Sequence, residues 1–492
     1  MVIRSGLLFG LSLLLAAPAP TFAQPTHRAR HASRPHPAAS RSRVEQPTGV
    51  PHTLAEALAA TYAYQPALLA ERARLRTTDE NVPQALAGWR PTVIVAGTTG
   101  YGDGVSREYL RGGWLKARTD RDIATGQATV TQPIYNGGRV NASVNRAKNT
   151  VFAERANLIA QEETSFSDAV NAYVGVIEDR QLAALNINNE QVLSQQLRAT
   201  QDRFRVGEIT QTDVAQAQAA LATARTQLLT SQGNQRTAEA MYLQVIGYPP
   251  PPNLVEPQPL SRPAQSVQDA AAMAGANNPN VVAAAFNQAA AQDAVDVAFA
   301  ALLPQVSLQG QLFQSNNSAA RLNDTNGYQV LAQLSLPLYQ GGAEYSAVRA
   351  ARETVQQNAR LVAQARRTAV QNAVQAWQTL ESARGAAESS RVAIRANEIA
   401  VEGEERQALV GTVTTLDVLI QQQNLLNSRV TLVQNLANLV TASYGLASAI
   451  GRLTARDLNL RVPLYDETAY YNEVKNRWFG VGVPRDATLY RR

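Results

Sequence analysis

The chain has 492 residues, a formal net charge of +6 and no cysteine. The missing cysteine excludes a disulfide framework, a thiolate metal site, a thiol nucleophile and an acylated N-terminal cysteine. All four histidines (His27, His31, His36 and His52) lie near the N-terminus, so the rest of the chain lacks the usual general base and the commonest metal ligand. Residues 1–52 hold six arginines against one glutamate, leaving the body nearly balanced, which argues against a nucleic-acid-binding surface.

Residues 1–23 read as a signal peptide: Arg4 gives the positive start, Leu7 to Ala17 the apolar run, and Thr21-Phe22-Ala23 the cleavage site. That run is shorter than the roughly 20 residues a spanning helix needs. Charged or amide side chains interrupt every later apolar run, so any membrane-inserted part must consist of β-strands. Residues 24–52, rich in Pro, Arg, His and Ala, read as a disordered lead-in.

The body is duplicated. Gln132-Pro133-Ile134-Tyr135-Asn136-Gly137-Gly138 recurs as Leu336-Pro337-Leu338-Tyr339-Gln340-Gly341-Gly342. At the same offset Val206-Gly207 matches Val410-Gly411, Asp213-Val214 matches Asp417-Val418, and Ile246-Gly247 matches Ile450-Gly451. Upstream the offset grows, pairing Pro66 with Pro279 and Pro91 with Pro304, so the first copy carries extra residues between its strand candidates. Residues 53–247 and 266–455 are the two copies, 248–265 a Pro-rich linker, and 456–492 a C-terminal tail.

Each copy opens with a helix, 53–88 or 266–300, which Pro66 or Pro279 kinks or restarts. Two strand candidates follow, near 91–101 and 127–135 in the first copy and near 304–314 and 328–338 in the second. Val306, Leu308, Gly310 and Leu312 alternate with Gln305, Ser307, Gln309 and Gln311. Val93, Val95, Val130, Val330 and Leu334 continue the apolar side. Strands of about ten residues, apolar on one face and small-polar on the other, suit a transmembrane barrel with a wet lumen. The glycine- and charge-rich stretches 102–126 and 315–327 are expected to be external loops. Four strands cannot close a barrel, and open edges are not tolerated in lipid, so counting alone predicts assembly with further copies.

Long proline-free stretches rich in Ala, Gln, Leu, Arg and Glu follow each strand pair. Phe166, Val170, Tyr173 and Ile177, and likewise Val370, Val374, Trp377 and Leu380, recur at helical spacing. The pattern predicts a helix of about 65 residues, spanning roughly 100 Å, a tight turn at Gly207 or Gly411, and a return helix of about 35. The apolar stripes read as packing between neighbouring helices. The tail from Pro463 is rich in Tyr and Arg, includes Trp478-Phe479, and is expected to pack around the helices.

This order of elements resembles the TolC family of outer-membrane efflux proteins over about residues 53–455. Val410-Gly411-Thr412-Val413-Thr414-Thr415-Leu416-Asp417-Val418-Leu419 is similar to the family's turn signature, and Pro-Ile/Leu-Tyr-x-Gly-Gly to the element closing its strand pairs. The resemblance implies a mainly α fold with a β-barrel portion: a coiled-coil tunnel plus four strands per protomer, a homotrimer closing twelve strands in the outer membrane. It implies a duct across periplasm and outer membrane for substrates of an inner-membrane pump, coupled by a periplasmic adaptor (membrane fusion) protein, serving type I protein secretion or small-molecule efflux. It implies no enzyme activity and no cofactor, and partners limited to these proteins and outer-membrane lipid, without nucleic acid. It places Asp417 on a ring of acidic side chains at the periplasmic gate, with Asp213 as its first-copy counterpart. Ile420 stands where some members have a second aspartate, giving a constriction that mixes charge with an apolar ring. The turns Val206-Gly207-Glu208 and Val410-Gly411-Thr412 align with adaptor-contact tips. Two readings compete: Asp213 and Asp417 complement helix dipoles, and the two glycines end helices by adopting positive φ. At the level of the whole chain the rivals are a non-conducting coiled-coil scaffold or adhesin, and an exported hydrolase limited to carboxylates.

Overall fold

The computed structural model describes residues 49–318, 322–483 and 490–491. The expected signal peptide and nearly all of the lead-in lie outside them.

Helix α1 (Leu54–Tyr64) starts at a reciprocal cap, in which the Thr53 hydroxyl accepts from Glu56 N and Glu56 accepts from Thr53 N. Pro66 restarts rather than kinks the chain, opening α2 (Pro66–Asp79) at its first turn, where its missing N–H costs nothing. Pro279 does the same between α6 (Val267–Asn277) and α7 (Pro279–Phe299). The first copy breaks once more, into α3 (Asn81–Leu86). Pro83 has no N–H to give the Asp79 carbonyl, and the second copy, lacking that proline, runs on unbroken.

Strands β1 (Thr92–Leu110), β2 (Gly113–Asn136), β3 (Gln305–Asn316) and β4 (Asp324–Ser335) form one antiparallel sheet in chain order. Two expectations are corrected here. The stretch 102–126 is not a loop but the outer half of a long hairpin, paired from Thr92↔Thr131 to Leu110↔Gly113 and turned only at Arg111-Gly112. Both turn residues have positive φ, as a two-residue hairpin turn requires. In the second copy Asn316 still pairs with Asp324, so the connection is shorter than expected, while β4 stops at Ser335, before Pro337.

The register lays the predicted faces side by side. Val93, Val130, Gly310 and Val330 are successive partners, as are Val95, Ala128, Leu312 and Tyr328. These rows carry exposed apolar side chains, Val95 at 79 % and Tyr328 at 79 %. On the other face Gln311 donates to Gln127 at 2.8 Å and accepts from Gln329, and the hydroxyls of Thr98 and Thr125 meet at 2.5 Å.

Strand turns to helix at paired left-handed glycines. A Cβ on Gly137 would lie 2.7 Å from Leu303 Cβ and 2.9 Å from the Ala300 carbonyl, so only glycine fits. Helices α4 (Arg139–Arg205) and α8 (Ala343–Leu409) then run 67 residues each, and α5 (Gln211–Ile246) and α9 (Thr415–Ala449) return over 36 and 35. Both pairs of long helices begin 204 residues apart, so the duplication is kept through them without a change of offset. Among the described residues no helix is long and apolar enough to cross a membrane.

The larger core gathers α1, α2, α4 and α5 around Phe166, Tyr173 and Tyr242, all fully buried. The Tyr173 hydroxyl sits 2.7 Å from the His52 carbonyl and 2.8 Å from that of Val255, tying the chain before α1 to the linker. A smaller core around Trp377, Leu380, Leu446 and Ile450 serves the second copy. After α9 the chain folds back on the first copy: Glu163 and Glu162 accept from Leu453 N and Ala455 N, at 3.3 and 2.6 Å. The tail adds β5 (Leu464–Tyr465), α10 (Ala469–Val474) and β6 (Tyr490–Arg491), with β5 and β6 paired. Buried Arg72 of α2 is caged by Tyr62, Tyr465 and Tyr490, its guanidinium 4.4, 5.2 and 5.8 Å from the three rings.

Candidate constriction and helix turns

The two turns between outgoing and returning helices share one construction. At the end of α4, Gly207 N donates to the Phe204 carbonyl and Glu208 N to that of Arg203. At the end of α8, Gly411 N donates to Ala408 and Thr412 N to Gln407. These paired bonds satisfy carbonyls that have no partner inside the helix, and they require a left-handed residue. Gly207 (φ +80°) and Gly411 (φ +78°) supply it. Both have open space around the missing Cβ, so glycine is needed here for backbone angle rather than room.

The return helices start at equally well-made caps. Thr210 donates to Asp213 Oδ2 through its backbone at 2.9 Å and its hydroxyl at 2.7 Å, and accepts from Asp213 N. Thr414 and Asp417 repeat the arrangement at 2.9 and 2.7 Å. Hydrogen bonds from the threonine, first its side chain and then its backbone, hold both carboxyls below the usual aspartate range. The aspartates therefore complete caps at the positive ends of helices, as the dipole reading expects, and stay charged at every physiological pH. This use occupies Oδ2.

Ile420 lies one turn beyond Asp417 and is exposed, whereas its neighbours Val418 and Leu419 are buried. Leu419 packs with Leu193, Leu221 and Ala224 of the first copy, holding the two hairpins together above the turns. Val206 and Val410 project into solvent at 72 % and 75 % exposure. The turns differ in charge: Glu208 pairs with Arg203 at 3.1 Å, while Thr412 only returns its hydroxyl to the Gln407 carbonyl. Further up, Arg225 reaches Glu190 at 3.1 Å and the equivalent Arg429 reaches Glu398 at 2.9 Å, with the glutamates shifted by one helical turn between copies.

Among the described residues no group of three or more His, Asp or Glu side chains is arranged to hold a metal. The sequence reading missed the role of Thr210 and Thr414, although Thr-x-x-Asp before a helical run is a recognisable cap signal. It also missed Arg72, Glu162 and Glu163, each of which has a partner in the tail hundreds of residues away.

The sequence of this duplicated helix-and-sheet chain matches the profile of the outer membrane efflux protein family twice, over residues 58–247 and 271–452. The chain belongs to that family. The efflux protein BepC of Brucella suis is 34 % identical to it over 435 residues, covering 88 % of this chain and 92 % of BepC. TolC of Escherichia coli is 25 % identical over 312 residues, covering 60 % of this chain and 63 % of TolC. Among solved structures, VceC of Vibrio cholerae superposes with a TM-score of 0.69 at 20 % identity, over 81 % of this chain and 96 % of VceC. Members of this family are outer-membrane efflux channels and not enzymes, and the chain is placed in the outer membrane.

Proposed function

We propose that three copies of this efflux-family chain close a twelve-stranded barrel over a common helical tunnel, giving pump substrates one continuous exit. The observation that carries this is the sheet itself: β1 and β4 end it with unpaired edges, and an open edge in hydrocarbon leaves backbone groups without partners. Pairing β1 of one copy with β4 of the next removes every edge. The apolar rows then face lipid, and Gln127, Gln311 and Gln329 line a wet interior. Helices α4, α5, α8 and α9 of three copies form the tunnel wall.

The tunnel narrows where the return helices begin. Asp417 keeps Oδ1 outside its cap, and three copies set three such carboxylates around one axis, where like charges attract cations and resist closure. Exposed Ile420 adds an apolar ring one turn further in, and Asp213 contributes a second, more peripheral acidic set. The exposed turns Val206-Gly207-Glu208 and Val410-Gly411-Thr412 are the docking tips for a periplasmic adaptor, through which an inner-membrane pump delivers its cargo. The pump supplies the energy, because this chain carries no nucleotide-binding motif.

Single-channel conductance in planar bilayers, with a cross-linked subunit count, tests the reading. A trimer with discrete, cation-preferring openings is expected; a soluble, non-conducting coiled coil would overturn it in favour of a scaffold. Asp417→Asn keeps an acceptor for the Thr414 cap, so it is expected to leave helix content intact. It should weaken cation preference and block by divalent ions; unchanged block would remove Asp417 from the constriction.

A further inference from the structure

We propose that the tail segment Trp478–Val483 is an interfacial anchor that seats the protein in the periplasmic leaflet of the outer membrane; this rests on the barrel reading above. The segment is an ordered turn. The Arg477 guanidinium donates to the carbonyls of Phe479 at 3.3 Å and Gly482 at 2.5 Å, and Gly480 takes a positive φ of 101° to let the chain close around it. Folded this way, the turn ties two of its carbonyls to Arg477 and shows its apolar side chains to the surroundings. Phe479 is 86 % exposed and Trp478 59 %, with Val481 and Val483 also in the open. Four such side chains on six residues are costly in water and have no partner among the described residues beyond the Trp478–Phe479 ring contact and the Arg90 contact described next.

Position decides what covers them. Arg90 stacks its guanidinium 4.9 Å from the Trp478 ring and donates to the Arg477 carbonyl at 2.7 Å. Arg90 stands two residues before β1, three before the first lipid-facing side chain, Val93. The tail thus climbs from the end of α2, where Tyr470 donates to the capping residue Glu80 at 2.8 Å, to the foot of the sheet, and delivers its aromatics there. At the same foot stand exposed Tyr135, closing β2, and Tyr339, just after β4. Barrels carry aromatic girdles at this level, because amphipathic rings favour the boundary between acyl chains and headgroups.

The guanidinium groups of Arg90 and Arg477 beside the aromatics complement anionic phospholipid headgroups.

The test uses full-length protein in vesicles of phosphatidylethanolamine and phosphatidylglycerol at about three to one, a composition with anionic surface charge. Tryptophan emission is compared between the native chain and Trp478→Phe, with lipids brominated near the headgroup end of the acyl chain and with aqueous acrylamide. The emission that Trp478→Phe removes should be quenched about two-fold by the shallow bromolipid, as a ring at the membrane interface requires. Quenching by acrylamide alone would put the segment in water and overturn the anchor. Quenching by neither would mean that a neighbouring copy covers it, which overturns the anchor equally. Conductance of the same vesicles reports on the channel separately. Openings without bromolipid quenching sink the anchor alone, and silent vesicles with quenched Trp478 sink conduction while the inserted barrel and its anchor stand.

Discussion

Asp79 sits buried at the C-terminal end of α2, which packs on α4 and the tail, and among the described residues neither of its carboxylate oxygens has a hydrogen-bond partner. Burial is the main cause that pushes its pKa up to about 7; Glu80 and Glu467 add to the rise and Arg155 opposes it. A raised carboxyl pKa means that the native state holds a proton that the unfolded chain has released. Its stabilising effect is complete below about pH 4 and is lost as pH rises to about 7. Glu163, pushed up to about 8 by burial, slopes the same way, so only a single substitution isolates Asp79. Asp79→Asn should melt like the native protein at pH 4 and stand about 1–3 kcal/mol more stable at pH 8, the cost of a buried polar group without a partner. Equal melting at both values would show that Asp79 is paired when ionised. The caps offer a second residue-scale test. Thr414→Ala removes one side of the Thr414–Asp417 exchange and should loosen the first turn of α9 by about 1 kcal/mol, seen as faster amide exchange confined to that turn. The caps were readable from Thr-x-x-Asp spacing alone, and Asp213 and Asp417 were rightly put in first turns. Asp79 was not readable, because what buries it is a tail nearly 400 residues further along the chain.

The longest departure from sequence expectation lies in one element, the first hairpin. Gly102, Asp103 and Gly104 depress strand propensity, so the stretch looked like a loop. Cross-strand pairing overrides that preference once the Arg111-Gly112 turn fixes the register, and Arg118 grips both oxygens of Asp103 across the ladder at 3.2 and 2.9 Å. A spanning strand needs only about 9–11 residues, against the 19 of β1 and 24 of β2. In the proposed barrel the outer half therefore rises clear of the bilayer. Joining Gly102 to Arg121 through an Asn-Gly turn in place of residues 103–120 should leave folding and conductance intact, while removing any protease site or antibody epitope on the projection. Loss of conductance would show that the projection forms part of the pore. The long helices were legible throughout, since a 3.6-residue period over so many turns is hard to mistake and no proline interrupts it.

For the molecule as a whole, the proposed barrel divides the sheet faces into outside and inside, and charge placed on either side reads the division directly. Val95→Arg puts a guanidinium into hydrocarbon and is expected to cost about 2–4 kcal/mol near the bilayer midplane, measured by urea unfolding in lipid vesicles. Gln311→Arg, on the polar face, should fold normally and shift ion selectivity instead. Comparable costs for both would mean that the sheet is not sorted between lipid and lumen.

The equal length of α4 and α8 carries a consequence for whatever meets the far end of the protein. Because both arms are 67 residues long, both turns of a copy stop at one height, about 100 Å from the sheet. Three copies would then finish in a level crown of six points. Backbone alone makes the points alike, each with the same glycine turn and the same threonine cap. Side chains make them alternate, since one kind carries the Arg203–Glu208 pair and the other a neutral threonine. A visitor that feels only shape would find six seats, and one that feels charge would find three.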